Sequence, residues 1–185
     1  YTNFPTRSRV AEIRASQAET LREFERSHWT PTPRLLNGHG FNSILASLID
    51  ANLPLLDEAI SALERAITGS GIGTPEGVID AVKLKAAPAG ELDVNQMLYT
   101  NLGLARLARG DRESAMKAYH AAVDGLRLSE NRALVAGTLS DLNILESHCV
   151  TLHGDGAATC GVVAAGIKDA RRLLLVGRTS SPRAN

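Results

Sequence analysis

The chain has few aromatic residues, few cysteines and no excess of charge. Its 185 residues include one Trp, three Tyr, three Phe and two Cys, and 20 acidic residues balance 20 Lys and Arg. A net charge of zero removes the broad attraction to polyanions on which nonspecific binding to nucleic acids depends. No apolar run approaches the roughly 18 residues that a membrane-spanning helix needs. The sequence therefore predicts no nucleic-acid partner and no transmembrane segment.

Alanine and leucine dominate the composition, with 26 Ala and 25 Leu. This composition favours helices and is too hydrophobic for a disordered chain. Apolar residues recur at helical spacings, and no stretch shows the alternation that is typical of strands. We therefore predict an all-α protein of about seven helices. The chain begins with Tyr1 and not with Met. We expect such a start of a processed product or an excised domain, so the first residues do not predict a compartment.

The pattern divides the chain into three parts. Residues 1–33 are predicted to form an amphipathic helix, from Thr6 to about Ser27, and a linker that contains prolines. Residues 34–178 are predicted to form one helical domain with an insertion at about 69–92. Residues 179–185 are predicted to form a flexible tail. The glycines at 69–73 indicate a helix end and linker, because no strand precedes them and no lysine follows at the spacing of a phosphate loop.

Glycine, proline and capping residues predict where the helices begin and end. The segment 38–40 (Gly-His-Gly) is predicted to separate the linker from a helix at 42–51. Thr74 and Pro75 are predicted to open a short helix that runs to about Lys85. A capping box at 93–96 predicts the start of the next helix. The Gly110-Asp111 pair predicts a turn in which glycine takes the left-handed conformation and the aspartate caps the following helix.

Residues 99–123 combine large and small residues in a way that suits two closely packed helices. Gly103 and Ala115 are small where the helices would approach, and Gly110 permits the turn. The matching positions are Tyr99, Leu102, Gly103, Ala105, Gly110, Asp111, Ala115, Tyr119 and Ala122. The segment resembles the helix-turn-helix signature of the tetratricopeptide repeat. Weaker copies lie at 56–67 and at Ala136-Gly137, the latter 34 residues after Leu102-Gly103, which is the period of the family. A generic antiparallel helix hairpin is the alternative.

The resemblance implies an irregular α-solenoid of antiparallel helix hairpins whose inner groove binds a peptide or a protein surface. Carried onto the well-matched repeat, it implies that six residues line a partner-binding groove: Met97, Thr100, Asn101, Leu104, Leu107 and Ala108. The alternative is that Leu104 and Leu107 are covered by the chain's own N-terminal helix. Arg106 departs from the family, which usually has a bulky apolar residue at this position.

Cys149 and Cys160 are the only cysteines. They are predicted to lie at the end of one helix and the start of its antiparallel successor, where a disulfide is feasible. A disulfide would place the chain in an oxidising compartment, on the periplasmic or secreted side of a membrane, with the cytoplasm as the alternative. Two unrelated thiols, or a metal site with nearby histidines, are the other interpretations. The spacing lacks the paired ligands that are typical of structural zinc.

No motif for nucleophilic catalysis occurs. His28, His39 and His120 are predicted to be surface or capping residues, and the Asp57-Glu58 pair is predicted to be solvated. The sequence therefore predicts a non-catalytic scaffold or adaptor, without a cofactor or a metal, that binds a protein or peptide. The alternative is a structural subunit of a larger hetero-complex, membrane-associated or not, in which the groove is permanently covered. A helical enzyme or metal sensor is a third hypothesis.

Overall fold

The protein is all-α, as the sequence predicts. The computed structural model describes residues 6–129, 132–154 and 156–179. It contains eight helices: α1 (Arg7–Arg26), α2 (Pro33–Asp50), α3 (Pro54–Ser70), α4 (Ala81–Ala86), α5 (Ala89–Ala108), α6 (Arg112–Ser129), α7 (Arg132–His153) and α8 (Ala157–Thr179). Within these ranges no strand forms, and none of the helices is long and apolar enough to cross a membrane. Of the predicted tail at 179–185, residue 179 is the last of α8, and 180–185 lie outside the described residues.

Consecutive long helices pack in pairs. α2 packs on α3, α5 on α6 and α7 on α8, and short connections make each pair antiparallel. The pairs are held together by α3 against α5 and by α6 against α8, while α7 also contacts α2 and α5. α1 packs on α2 at the start of the array. The relation of these pairs to the tetratricopeptide family stays a prediction.

Most helix boundaries follow from capping residues. Thr6 and Thr32 accept hydrogen bonds from the backbone N–H groups of Arg9 and Leu35, at 3.4 and 3.2 Å, and so cap α1 and α2. Asp111 accepts from the Ser114 N–H at 3.0 Å, and Gly110 has φ +91°, as the sequence predicts for this turn. α3 ends at Gly71, with φ +68°.

The predicted break at residues 38–40 is wrong, because these residues lie inside α2. A methyl group on Gly40 would lie 2.7 Å from the Cγ of Leu63, and one on Gly38 would lie 2.8 Å from the Nε2 of Gln17. The two glycines therefore allow α3 and α1 to approach α2 closely. Glycine costs a helix about 1 kcal/mol, which the packing of two neighbouring helices outweighs.

The insertion between α3 and α5 is less helical than predicted. α4 spans only residues 81–86 and is capped by Asp80, while 72–80 form a compact turn closed by an Asp80 N–H to Ile72 O bond of 2.8 Å. The capping box predicted at 93–96 is also wrong, because α5 begins at Ala89 directly after Pro88. Pro88 takes the N-cap position with φ −58° and ψ 150°, and as a residue without a backbone N–H it suits a position outside the helix interior.

The α5–α6 pair forms the centre of the core. Tyr99, Leu102, Ala115 and Tyr119 are fully buried. A methyl group on Gly103 would lie 2.8 Å from the Tyr119 ring, so glycine leaves the space that this ring occupies. Gly137 on α7 lies 34 residues after Gly103 and has no atom within 4 Å of the corresponding methyl position. The close approach seen at Gly103, and at Gly40 against Leu63, is therefore absent at Gly137.

Candidate functional site

The structure places the predicted inner groove inside the protein. Of its six residues, Met97 is half-buried and the other five are buried, with exposures of 3% for Thr100, 9% for Asn101, 2% for Leu104 and 0% for Leu107 and Ala108. Side chains buried to this extent offer no surface to a partner while the fold stays closed.

Neighbouring helices occupy the space that the inner groove would leave free. Asn101 donates to the Asn37 side chain on α2 at 2.9 Å, and the Nε2 of His153 on α7 lies 2.8 Å from the Ala108 carbonyl oxygen. Leu107 packs against Gly166 of α8, which has no room for a side chain. The covering helices are thus α2, α7 and α8, and not the N-terminal helix that was the predicted alternative cover for Leu104 and Leu107.

A different groove lies open along α3. Three neighbouring depressions share lining residues: the first two share Leu36, Ser61 and Arg65, and the second and third share Pro33 and Gly69. Their walls come from α1, the start of α2, the 72–80 turn and the start of α5. We name this surface the α3 groove and define it by Leu21, Leu36, Glu58, Ser61, Arg65, Pro33, Gly69, Ile72 and Asn95.

Along the α3 groove some charged side chains form ion pairs and others do not. Glu64 accepts from the Nη2 of Arg106 at 2.9 Å, and Arg106 is only 11% exposed. Arg65, in contrast, is exposed, borders two of the depressions and forms no ion pair with the described residues. The free charge in the middle of the groove is therefore positive. The two ends carry both signs, with Glu25 at one end and Arg34 and Glu91 at the other.

The far end of the α3 groove has a buried carboxamide. Asn95 is 1% exposed, and neither its Nδ2 nor its Oδ1 has a hydrogen-bond partner. A buried amide without partners costs free energy, since it has left water without replacing the lost bonds. Asn95 lies beside Ser70, Ile72 and Val94 in the lining of the third depression.

A polar cluster borders the first depression and ties three helices together. The Nε2 atom of His39 on α2 lies 2.8 Å from the Oε1 atom of Glu58 on α3. Ser43 donates to the same oxygen at 3.3 Å, and Arg14 of α1 donates to the other oxygen at 2.6 Å. Burial lowers the pKa of His39, while the neighbouring Glu58 opposes this shift.

The cluster is not arranged for nucleophilic attack. The Ser43 hydroxyl donates to Glu58 and not to His39, so the imidazole is not placed to take the serine proton. His39 is 5% exposed. The prediction that His39 is a surface residue is therefore wrong, as is the prediction that Glu58 is simply solvated. Their partners lie 15 to 44 residues away along the chain, a separation at which sequence spacing carries no signal.

The structure brings the two cysteines together. Cys149 and Cys160 lie at disulfide-bonding distance, with their Cα atoms 5.9 Å apart, at the junction of α7 and α8. No group of three or more potential metal ligands occurs among the residues that the structure describes. His148 and His153 instead contact backbone carbonyl oxygens, of Ile144 at 2.9 Å and of Ala108 at 2.8 Å.

No family model, curated protein or solved structure matched this chain in comparisons of sequence and structure.

Proposed function

We propose that the chain is a non-catalytic scaffold or adaptor that binds an extended segment of a protein or peptide in the α3 groove. The observation that supports this proposal is the row of three adjacent depressions that share lining residues on the exposed side of α3. The groove follows α3 from Glu58 to Gly69, which is about 17 Å at 1.5 Å per residue. A segment of about five extended residues has this length.

The chemistry of the groove favours an acidic segment. Leu36 and Ala62, at 3% and 6% exposure, give the floor an apolar character, while Arg65 supplies the free charge at the centre. A carboxylate on the bound segment would gain a charge-assisted bidentate bond with the Arg65 guanidinium.

Selection from a random peptide library tests the site. Ser61 is exposed and borders two of the depressions, so Ser61→Trp should obstruct the groove without disturbing the core. We expect the selected peptides to be rich in Asp and Glu and to lose at least about tenfold in affinity for this variant, equivalent to about 1.4 kcal/mol.

The matched control is Ser147→Trp, an equally large change at an exposed position of α7. Peptides that bind the wild type should bind this variant equally well. Peptides that bind the Ser61→Trp protein as tightly as the wild type would place the docking site elsewhere.

The alternative function, a structural subunit of a larger assembly, is supported by a different surface. Four apolar side chains on α7 and α8 are substantially exposed: Val150 at 68%, Val162 at 41%, Leu175 at 46% and Val176 at 52%. Exposed apolar residues on the last helix pair of an array suit a permanent contact. An assembly subunit should copurify with a stoichiometric partner from its native source, whereas an adaptor should be monodisperse alone and bind its partner saturably.

A further inference from the structure

A pair of aromatic rings lies at the end of α1, with Phe24 half-buried and Trp29 exposed. Trp29 is 68% exposed, and its ring lies 6.0 Å from that of Phe24, at an angle of 80° between the planes. The two rings form one side of an open cavity of about 490 Å³. We name this surface the Trp29 corner and define it by Ser16, Glu19, Thr20, Glu23, Phe24 and Trp29.

The backbone holds the indole in this position. His28 has φ +56°, a left-handed conformation that is uncommon for residues other than glycine. In this turn the backbone N–H of Trp29 donates to the Phe24 carbonyl at 2.9 Å, and the backbone N–H of Ser27 donates to the Glu23 carbonyl at 3.0 Å. The His28 N–H also donates to the Glu25 carbonyl at 3.2 Å, which completes the usual hydrogen-bond pattern of a helix end with a left-handed residue. This helix end fixes the position of the Trp29 backbone.

The charges that line the Trp29 corner are both negative. Glu19 and Glu23 form ion pairs with Arg22 and Arg26 on the same helix, at distances of 2.7 to 3.6 Å. All four side chains are 57–65% exposed, so these pairs contribute little free energy and can exchange for other partners. The faces of aromatic rings also attract cations, and tryptophan does so most strongly.

We propose that the Trp29 corner binds an arginine or lysine side chain of a protein partner. The cation would lie against the Trp29 ring and replace the intrahelical arginines as the partner of Glu19 and Glu23. The aliphatic part of the same side chain would cover exposed ring surface. The residues of the corner lie on the opposite side of α1 from Ala18, Leu21 and Glu25, which border the α3 groove. The corner is therefore a second contact point, independent of the groove.

Trp29 makes the proposal directly measurable, because it is the only tryptophan in the chain. Intrinsic fluorescence of the full chain would be titrated with blocked tripeptides that carry a central arginine, lysine or glutamate, at constant ionic strength. We expect a saturable change with the arginine and lysine peptides and no saturable change with the glutamate peptide. The absence of saturation with both basic peptides, or equal binding of the acidic peptide, would overturn the proposal.

A charge-removing variant keeps the reporter and tests the role of the carboxylates. We expect the Glu19→Gln/Glu23→Gln double variant to bind the basic peptides at least about fivefold more weakly, with its circular dichroism unchanged. The control is Glu12→Gln, which removes an exposed carboxylate of the same helix about two to three turns from Glu19 and Glu23 and should leave the affinity unchanged. A double variant that binds like the wild type would also overturn the proposal.

Discussion

At the scale of single residues, the contact between Gly103 and Tyr119 leaves no room for a side chain at position 103. A methyl group at Gly103 would lie 2.8 Å from a ring that is itself fully buried and cannot withdraw. We expect Gly103→Ala to lower the free energy of unfolding by about 1–3 kcal/mol, because overpacking exceeds the gain in helix propensity. Chemical denaturation measures the change.

Gly137→Ala is the matched control, since the same substitution on α7 meets open space. It should leave stability unchanged or raise it by up to about 1 kcal/mol. If both variants are stabilised equally, the tight contact at Gly103 does not exist.

Asp141 on α7 makes the free energy of unfolding depend on pH. Burial raises the pKa of this carboxyl from 3.8 to about 6. Because the folded pKa is above the unfolded value, the charged carboxylate destabilises the fold above pH 6, and this penalty shrinks as the pH falls from 6 towards 4. We expect Asp141→Asn to raise the free energy of unfolding by about 2 kcal/mol at pH 7.5.

Both proteins contain His39, so its contribution cancels when the free energy of unfolding of Asp141→Asn is compared with that of the wild type at the same pH. His39 has a lowered pKa, so it destabilises the fold as the pH falls below 6.5, which is the opposite direction. Denaturation at pH 7.5 and at pH 4.5 should show the advantage of the variant narrowing with acidity. An advantage that is constant with pH would show that the Asp141 carboxyl titrates normally.

Residues with local roles were predictable from the sequence, and residues with distant partners were not. The turn at Gly110 and Asp111 depends on backbone rules that act within a few residues, and the structure confirms it. His39 and Glu58 meet only because α2 and α3 fold together. A single histidine between two glycines gives no sign of such a partner.

At the scale of elements, Arg106 on α5 anchors the inserted turn. Its guanidinium donates to the Pro75 carbonyl at 3.0 Å, the Ser114 carbonyl at 3.3 Å and the Glu64 carboxylate at 2.9 Å. We expect Arg106→Met to lower the free energy of unfolding by about 2 kcal/mol, since it leaves these acceptors without a donor. Hydrogen exchange at residues 72–80 should accelerate.

Arg109→Met tests whether the loss of any arginine from α5 has this effect. Arg109 pairs with Asp57 at 3.1 Å, but both side chains are about half exposed, so this change should cost less than about 1 kcal/mol. It should also leave the exchange of residues 72–80 unchanged. Equal effects of the two variants would remove the anchoring role of Arg106.

The α7–α8 pair depends on the cysteines at its turn. Closure of a loop between Cys149 and Cys160, 11 residues apart, contributes about 3 kcal/mol in the chain-entropy model. Protein purified from an oxidising compartment should show no alkylated cysteine in mass spectrometry without reduction. The free energy of unfolding of the Cys149→Ser/Cys160→Ser variant should be about 3 kcal/mol lower. Two alkylated thiols in the unreduced wild type would exclude the disulfide.

The sequence predicted the long helices better than the insertion. Helices such as α1 and α6 have clear caps and apolar stripes, and both bounds of α1 and the start of α6 agree with the prediction to within one residue. The insertion takes its shape from contacts with α5, including the bond from the Tyr99 hydroxyl to the Thr74 carbonyl at 2.9 Å. These contacts join residues 25 or more positions apart, and local propensity does not encode them.

At the scale of the whole molecule, composition and periodicity were sufficient for the all-α class, but the location of an open surface was not predictable. The family resemblance implies a groove beside α5, whereas in the structure α2, α7 and α8 fill that space. Whether a groove is open or filled depends on how closely successive pairs fold onto each other. This is a property of the packing of all the helix pairs and not of any one pair.

The central claim is that the surface of α5 is closed and the α3 groove is open. The most direct test compares the alkylation rates of two cysteine variants under native conditions, Thr100→Cys for the predicted inner groove and Ser61→Cys for the α3 groove. Thr100 is 3% exposed and Ser61 is exposed. We predict that the thiol introduced in the α3 groove reacts like a free thiol, while the thiol introduced on α5 reacts only through rare opening of the fold, at least about a hundredfold more slowly. Equal rates at the two positions would contradict the account.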